Sequence, residues 1–305
     1  MRLPTTHLRS PEAGLVLTAV IWAVNFSVSK SALETVPPLA FNALRYPLAG
    51  AAAAVFLSAL GARRRPEGKD VAAVIGLGVL GNVAYQLLFI EGLDRTLAAH
   101  SGVLMATAPV WTAALAVPLA GERVDARAWG GIFLTLAGVS LVVLAGAAGG
   151  VGGETLAGDL LTLGAAFTWG LYTVLSIPLV RRYGALPVTV WTMWVGAIVL
   201  PWFGLGELRR IGVASIGPAA WAAIAYAGIL SIAVAYVLWY RGVRALGGAR
   251  TAAYGNLVPV MAIAVAWVWL GERPAPVQLL GAGLTVLGVA LARRRPGAAP
   301  VATGA

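Results

Sequence analysis

Trp22, Asn25, Phe26 and Ser29 follow one another at helical spacing inside a run without a charge, and Trp169, Tyr172, Thr173 and Ser176 repeat the pattern near mid-chain. Such spacing gathers each set on one face of a helix. Asn82, Tyr85, Gln86 and Phe89 make a third face, His100, Thr107 and Trp111 a fourth, and Tyr226, Tyr236, Trp239 and Tyr254 add aromatic groups further on. Amides, hydroxyls and rings do not break bonds. They stack and exchange neutral hydrogen bonds, which suits recognition of a small zwitterion with a variable side chain. Catalysis inside the apolar runs would need a nucleophile with its base, paired aspartates or a metal cluster, and the two histidines, His7 and His100, supply none of these alone. The absence of cysteine excludes disulfides and thiolate-bound metals. The expectation is therefore a binding protein in the broad sense, not an enzyme, with no cofactor and no metal.

An unpaired amide in hydrocarbon costs several kcal/mol, so these side chains should face the interior. The candidate binding set is Trp22, Asn25, Asn82, Tyr85, Gln86, His100, Thr107, Trp111, Trp169, Tyr172, Tyr236 and Tyr254. Each has a plainer alternative. Asn25, Asn82 and Gln86 can simply join helices through hydrogen bonds of about 0.6–2 kcal/mol, and His100 can be a satisfied histidine near the outer interface. Trp202, Trp221 and Tyr240 read as interfacial belt residues. Arg45 and Lys30 lie within reach of the outer surface, where they can snorkel or bind a substrate carboxylate.

The elements that must position these residues are membrane helices. The chain of 305 residues is 59% hydrophobic and 11% charged, against roughly 25% charged in a soluble domain. Charge-free windows cover 13–29, 46–62, 71–90, 96–121, 128–153, 160–180, 183–206, 211–240, 251–271 and 274–292, each close to or above the ~17–25 residues that cross a bilayer. Alternating barrel patterning is absent, and helices satisfy their own backbone hydrogen bonds. The fold class is an all-α integral membrane protein of ten transmembrane helices.

Sliding the chain by 150 residues aligns Gly92 with Gly242, Pro109 with Pro259, Gly121-Glu122-Arg123 with Gly271-Glu272-Arg273, and Gly138 with Gly288. The unit is thus duplicated: a short N-terminus over 1–12, repeats over 13–147 and 155–292, and a tail over 293–305. With the N-terminus inside, sixteen basic residues fall on the inner side and five on the outer, leaving Arg45 within a span. Five spans per repeat is an odd number, so the two copies face opposite ways and both termini are cytoplasmic. An inverted repeat places a midplane site that similar motions can expose to either side. Pro109 and Pro259 each remove a backbone donor inside the fourth helix of a copy, as hinges or as packing devices.

Three signals mislead. The net charge of +10 sits in short clusters at helix ends without a nucleic-acid module, so anionic lipid headgroups are the expected partner and nucleic acid is not. GLGVLG at 76–81 spells a dinucleotide fingerprint but lies inside an apolar span, where small residues serve close packing. Asn25-Phe26-Ser27 is a glycosylation site in spelling only. All twelve acidic residues lie at or beyond the end of a charge-free window, from which no carboxylate is expected at midplane and substrate should move without obligatory proton exchange.

The two copies, each ending in a proline-bearing helix, a Gly-Glu-Arg turn and a Gly/Leu-rich helix (GGIFLTLAGVSLVVLA and LLGAGLTVLGVALARR), resemble the EamA domain pair of the drug/metabolite transporter superfamily. WAVNFSVSK at 22–30 is similar to that family's first-helix signature, and the likeness is greatest to YddG-type amino-acid exporters. The resemblance implies a ten-helix carrier of the bacterial-type inner membrane. Its implied substrate is a small metabolite, foremost an amino acid, aromatic ones included, with sugar phosphates and nucleotide sugars as the alternative. No obligate protein partner is evident.

Overall fold

A computed structural model describes residues 10–59, 65–120, 125–148, 152–246, 251 and 254–292. The first Gly-Glu-Arg turn, the N-terminal nine residues and the tail from 293 lie outside the described residues.

Among the described residues every regular element is helical, as a bilayer demands of a backbone that must bond to itself. Helix α1 is Pro11–Leu33 and α2 is Pro38–Ala59. Helix α3 covers 71–95, α4 consists of Ala98–Met105 and Ala108–Ala120, and α5 is Ala126–Ala148. Helices α6 and α7 are Gly152–Tyr183 and Ala185–Ile211; α8 covers 218–246, α9 is Leu257–Leu270 and α10 is Pro276–Ala292. Eight of these are long and apolar enough to cross a membrane, and α9 and α10 are shorter apolar helices of 14 and 17 residues.

Helix ends are tied down by side chains both local and distant in the chain. Ser10 accepts from the amide of Ala13 at the start of α1. Glu207 accepts from Ala40 N–H at 2.9 Å, and Glu272 accepts from the amides of Ala98 and Ala99 at 2.8 and 2.9 Å, so the glutamate of the second Gly-Glu-Arg turn caps α4 of the other half. The glycine of that turn, Gly271, ends α9 at φ 69, a left-handed conformation open to glycine. Lys30, expected to snorkel, is half-buried and donates to the carbonyls of Leu93 and Asp94 at 3.0 and 2.5 Å, at the end of α3.

The helix pairs map onto themselves when each helix is exchanged for the one five places along. Helix α2 packs on α7, α5 on α10, and the first part of α4 on α9; α1 meets α8 and α9 as α6 meets α3 and α4. At the α5–α10 crossing, Gly131, Thr135 and Gly138 face Gly281, Thr285 and Gly288, where a Cβ on Gly138 would lie 2.5 Å from Thr285 N. This is small-residue packing that lets backbones touch. GLGVLG serves the same end in part: a Cβ on Gly81 would stand 2.3 Å from the Tyr172 ring, whereas Gly76 meets nothing.

Backbone irregularities also recur. Residues Val79–Ala84 of α3 and Tyr226–Val234 of α8 are π-helical, a form that gathers at functional sites. Helix α4 breaks at a turn over Ala106 and Thr107, and α9 starts after a turn over Gly255 and Asn256, within one residue of the 150-residue offset. Pro109 and Pro259 therefore sit in the first turn of a helical segment, where a missing N–H costs little.

The largest core cluster joins α1, α2, α3, α4, α6, α8 and α9 at one end of the bundle, through Phe26, Leu33, Phe41, Phe89, Leu93, Ile224 and Ala266 among others. Toward the opposite end the clusters are smaller and separate.

Candidate functional site

The rings singled out in the sequence meet at the middle of the bundle. Trp22 of α1 lies edge-on to Tyr236 of α8, with ring centres 6.0 Å apart, and 5.1 Å from Trp239. Tyr236 is 6.4 Å from Trp169 of α6, which also contacts Tyr172 at 5.3 Å and Tyr85 of α3 at 5.1 Å. Tyr85 stacks on Phe89, and Phe89 stands edge-on to Phe26 of α1. Tyr240, expected in the interfacial belt, instead stacks on Tyr236 and hydrogen-bonds Thr189. Trp202 is 73% exposed, away from the bundle interior.

Nine rings from four helices of both halves thus form one connected arc. Trp22, Tyr85, Trp169, Tyr236, Trp239 and Tyr240 each keep part of their surface open. Offset and edge-on geometry at these distances is attractive, and the exposed ring faces offer stacking surface to an apolar or aromatic solute. The arc depends on the π-helical segments. In α8 the Ser231 carbonyl accepts from Trp22 Nε1 at 2.9 Å, and Tyr226 donates back to Ile21 O at 3.0 Å.

Beside the arc lies a polar cluster on α2 and α3. Asn82 accepts from the Tyr46 hydroxyl at 3.3 Å, and Asn42 donates to the Gln86 backbone carbonyl at 3.0 Å. Arg45 donates through Nε to Asn42 Oδ1 at 2.9 Å and through Nη2 to Gln86 Oε1. This corrects the reading of Arg45 as a snorkelling residue: it is 1% exposed. The charge-free window began just after it, whereas α2 starts two turns earlier, at Pro38.

The remaining candidates sit elsewhere. Asn25 is buried and accepts from Ser29 within α1. Thr107 donates to Leu104 O across the break in α4. Trp111 stands edge-on to Phe167 and packs its backbone on Gly170. Tyr254, half-buried ahead of α9, makes none of these contacts.

His100 belongs to a second buried group. Its Nε2 pairs with Gln278 Nε2-side amide at 2.8 Å, and its Nδ1 lies 3.4 Å from Asp159 Oδ1, which also accepts from Thr96 Oγ1. Asp159 is 0% exposed, and its Oδ2 has no partner. Helix α6 begins at Gly152, so Asp159 lies two turns inside the helix, one turn from the end of the apolar span Thr155–Tyr183. The glycine crossing of α3 on α6 encloses it, since a Cβ on Gly158 would stand 2.6 Å from Arg95 C. Among the described residues no group of three metal-ligating side chains is present.

Comparison with known proteins agrees with this architecture. The EamA-like transporter family matches residues 10–144 and 156–294. A protein of Streptantibioticus cattleyicolor named "Probable terminal-alkyne amino-acid exporter" is 34% identical over 281 residues, 92% of each chain. A "Probable amino-acid metabolite efflux pump" of Salmonella typhimurium is 28% identical, covering 90% of this chain and 91% of that one. "Uncharacterized transporter YdfC" of Bacillus subtilis is 31% identical over 88% of this chain and 86% of its own. A solved crystal structure shares the fold at a TM-score of 0.65 and 22% identity, covering 94% of this chain and 99% of that one. With both halves matched and apolar helices along its length, the chain belongs to the EamA-like transporter family and is a multi-pass membrane transporter, not an enzyme.

Proposed function

We propose that this transporter exports small metabolites, foremost amino acids and aromatic ones among them, across a bacterial-type inner membrane. It does so by alternating access between two inverted five-helix repeats, 13–147 and 155–292, with both termini cytoplasmic. The observation that carries this reading is the arc of Trp22, Tyr85, Trp169 and Tyr236, built from α1 and α3 of one half and α6 and α8 of the other. A solute held there touches both halves, so rocking one against the other changes the side from which it is reached.

Three further observations support it. The helix pairing maps onto itself under exchange of the halves, the π-helical segments and helix breaks recur about 150 residues apart, and two relatives carry amino-acid export in their names. The largest core cluster closes the end that basic-residue bias assigns to the outside, as in a carrier awaiting solute from the cytoplasm. Among the described residues Arg45 is the one lysine or arginine that is fully buried, which disfavours a sugar phosphate or nucleotide sugar, since a polyanion calls for several cations.

Counterflow in proteoliposomes tests the reading. Vesicles preloaded with a mixture of unlabelled amino acids should transiently accumulate labelled phenylalanine or leucine. Accumulation of phosphorylated sugars and of no amino acid would overturn the proposal.

A further inference from the structure

Arg45 heads the side chains of the described residues that are buried to below 2% exposure, ranked by volume, and no carboxylate among those residues pairs with it. A guanidinium keeps its charge in a protein. Inside a membrane helix such a cation is costly and marks function unless a counter-charge accompanies it. What surrounds Arg45 solvates the charge without neutralising it: two amide oxygens, Asn42 Oδ1 and Gln86 Oε1, and three ring faces, Phe41, Phe89 and Tyr46, at 5.2, 5.9 and 6.0 Å.

The fork is half used. Nε and Nη2 donate, while Nη1 makes no hydrogen bond. A carboxylate would place two oxygens where Gln86 places one, in the bidentate arrangement that suits this planar donor. The position of the fork also fits. Phe89, against the guanidinium, is stacked on Tyr85, and Tyr85 contacts the Trp169 ring at 5.1 Å, so Arg45 stands at one end of the aromatic arc.

We infer that Arg45 is the anchor for the carboxylate of the transported solute, whose side chain lies along Tyr85 and Trp169, and that Gln86 Oε1 holds the carboxylate's place while the site is empty. Binding exchanges the neutral amide for an anion, with Gln86 turning aside. This rests on the amino-acid reading and narrows it: the solute must carry a free carboxylate, whereas its amino group is dispensable.

Isothermal titration calorimetry of the purified full-length protein with L-phenylalanine, 3-phenylpropionate, L-phenylalaninamide and 2-phenylethylamine tests the inference. The two carboxylates should bind at least tenfold more tightly than the amide and the amine. Gln86→Glu supplies a permanent internal carboxylate, so it should weaken L-phenylalanine at least tenfold without lowering the melting temperature. Arg45→Gln should bring L-phenylalanine down to the affinity of its amide; if that variant does not fold, the wild-type ratio and Gln86→Glu decide. Equal affinity for acid and amide, or a carboxylate preference that survives Gln86→Glu, overturns the anchor and leaves amino-acid transport standing. Heat from none of the four compounds removes the amino-acid reading, and the anchor with it.

Discussion

Trp169 and Tyr236 are the branch points of the aromatic arc, each set against three other rings. A stacked aromatic pair contributes about 0.5–1.5 kcal/mol beyond the area it buries. Replacing Trp169 by leucine should therefore raise the half-saturating concentration of an aromatic solute by roughly two- to tenfold on the same basis, and that of alanine much less; equal effects on both would take the ring out of the binding surface. Asp159 makes a separate case. With Thr96 donating to it and His100 beside it, its side chain is held by α3 and α4, and Asp159→Leu leaves those groups without their acceptor at about 1–3 kcal/mol for a buried unpaired polar group. The variant should melt several degrees lower in detergent, while Asp159→Asn, which retains an acceptor oxygen, should lose less; identical melting curves for the two would show that the contact carries no stability. These two charges, Arg45 and Asp159, are also where the sequence was hardest to read. The charge-free windows end at the nearest charge, so each of these residues bounds a window, although the helices start at Pro38 and Gly152. The rings were legible because helical spacing brought Trp22, Tyr85, Trp169 and Tyr236 inward. Asn42, three residues before Arg45, is on the same helix, but Gln86 beside Arg45 and the partners of His100 come from other helices, and spacing along one helix carries no trace of them.

At the scale of elements, the duplication was visible as a 150-residue offset, but what the repeated residues do was not. The glycines of the two Gly/Leu-rich helices are the contact surface of α5 and α10, with backbone on backbone at Gly138 and Gly288. Gly138→Val puts atoms where Thr285 N and Gly281 O already lie, 2.5 and 2.6 Å from the first added carbon, and backbone cannot yield as a side chain can. Folded protein in the membrane should fall to a small fraction of wild type, measured by fluorescence-detected size-exclusion chromatography, while Leu134→Ala and Leu284→Ala on the same helices stay near wild type. The π-helical segments were invisible for a different reason: an extra residue in a turn changes the hydrogen-bond register without altering apolar composition. Deleting Leu80 would return Val79–Ala84 to ordinary α-helix and remove the widened turn that leads into Tyr85 and Gln86, because a π-turn absorbs its extra residue locally. Transport should be abolished with helical content by circular dichroism unchanged; a transport-competent deletion would show that the bulge has no part in placing the site.

The molecule as a whole gathers its largest core cluster at one end, where α4 meets α9 beside α1. Sidedness comes first. The chain has no cysteine, so single introduced thiols report alone, and a membrane-impermeant maleimide should reach positions 152 and 274 from outside but positions 66 and 297 only after the membrane is opened. The gate follows from it. Gly102 of α4 faces Ala262 of α9 so closely that a Cβ there would lie 2.7 Å from the Ala262 Cβ. Gly102→Leu adds four carbons at this crossing and must drive the two helices apart, which raises the energy of the form closed at this end relative to the form open there. A substitution that acts differently on two conformers shifts their populations by that difference. Ala266, buried completely in the same cluster, supplies the reporter. Ala266→Cys alone should resist labelling from outside, and Ala266→Cys combined with Gly102→Leu should label readily, with uptake from that side gained at the expense of release. If both forms label at the same rate, the packed end is a fixed part of the scaffold and the moving contact lies between other helices.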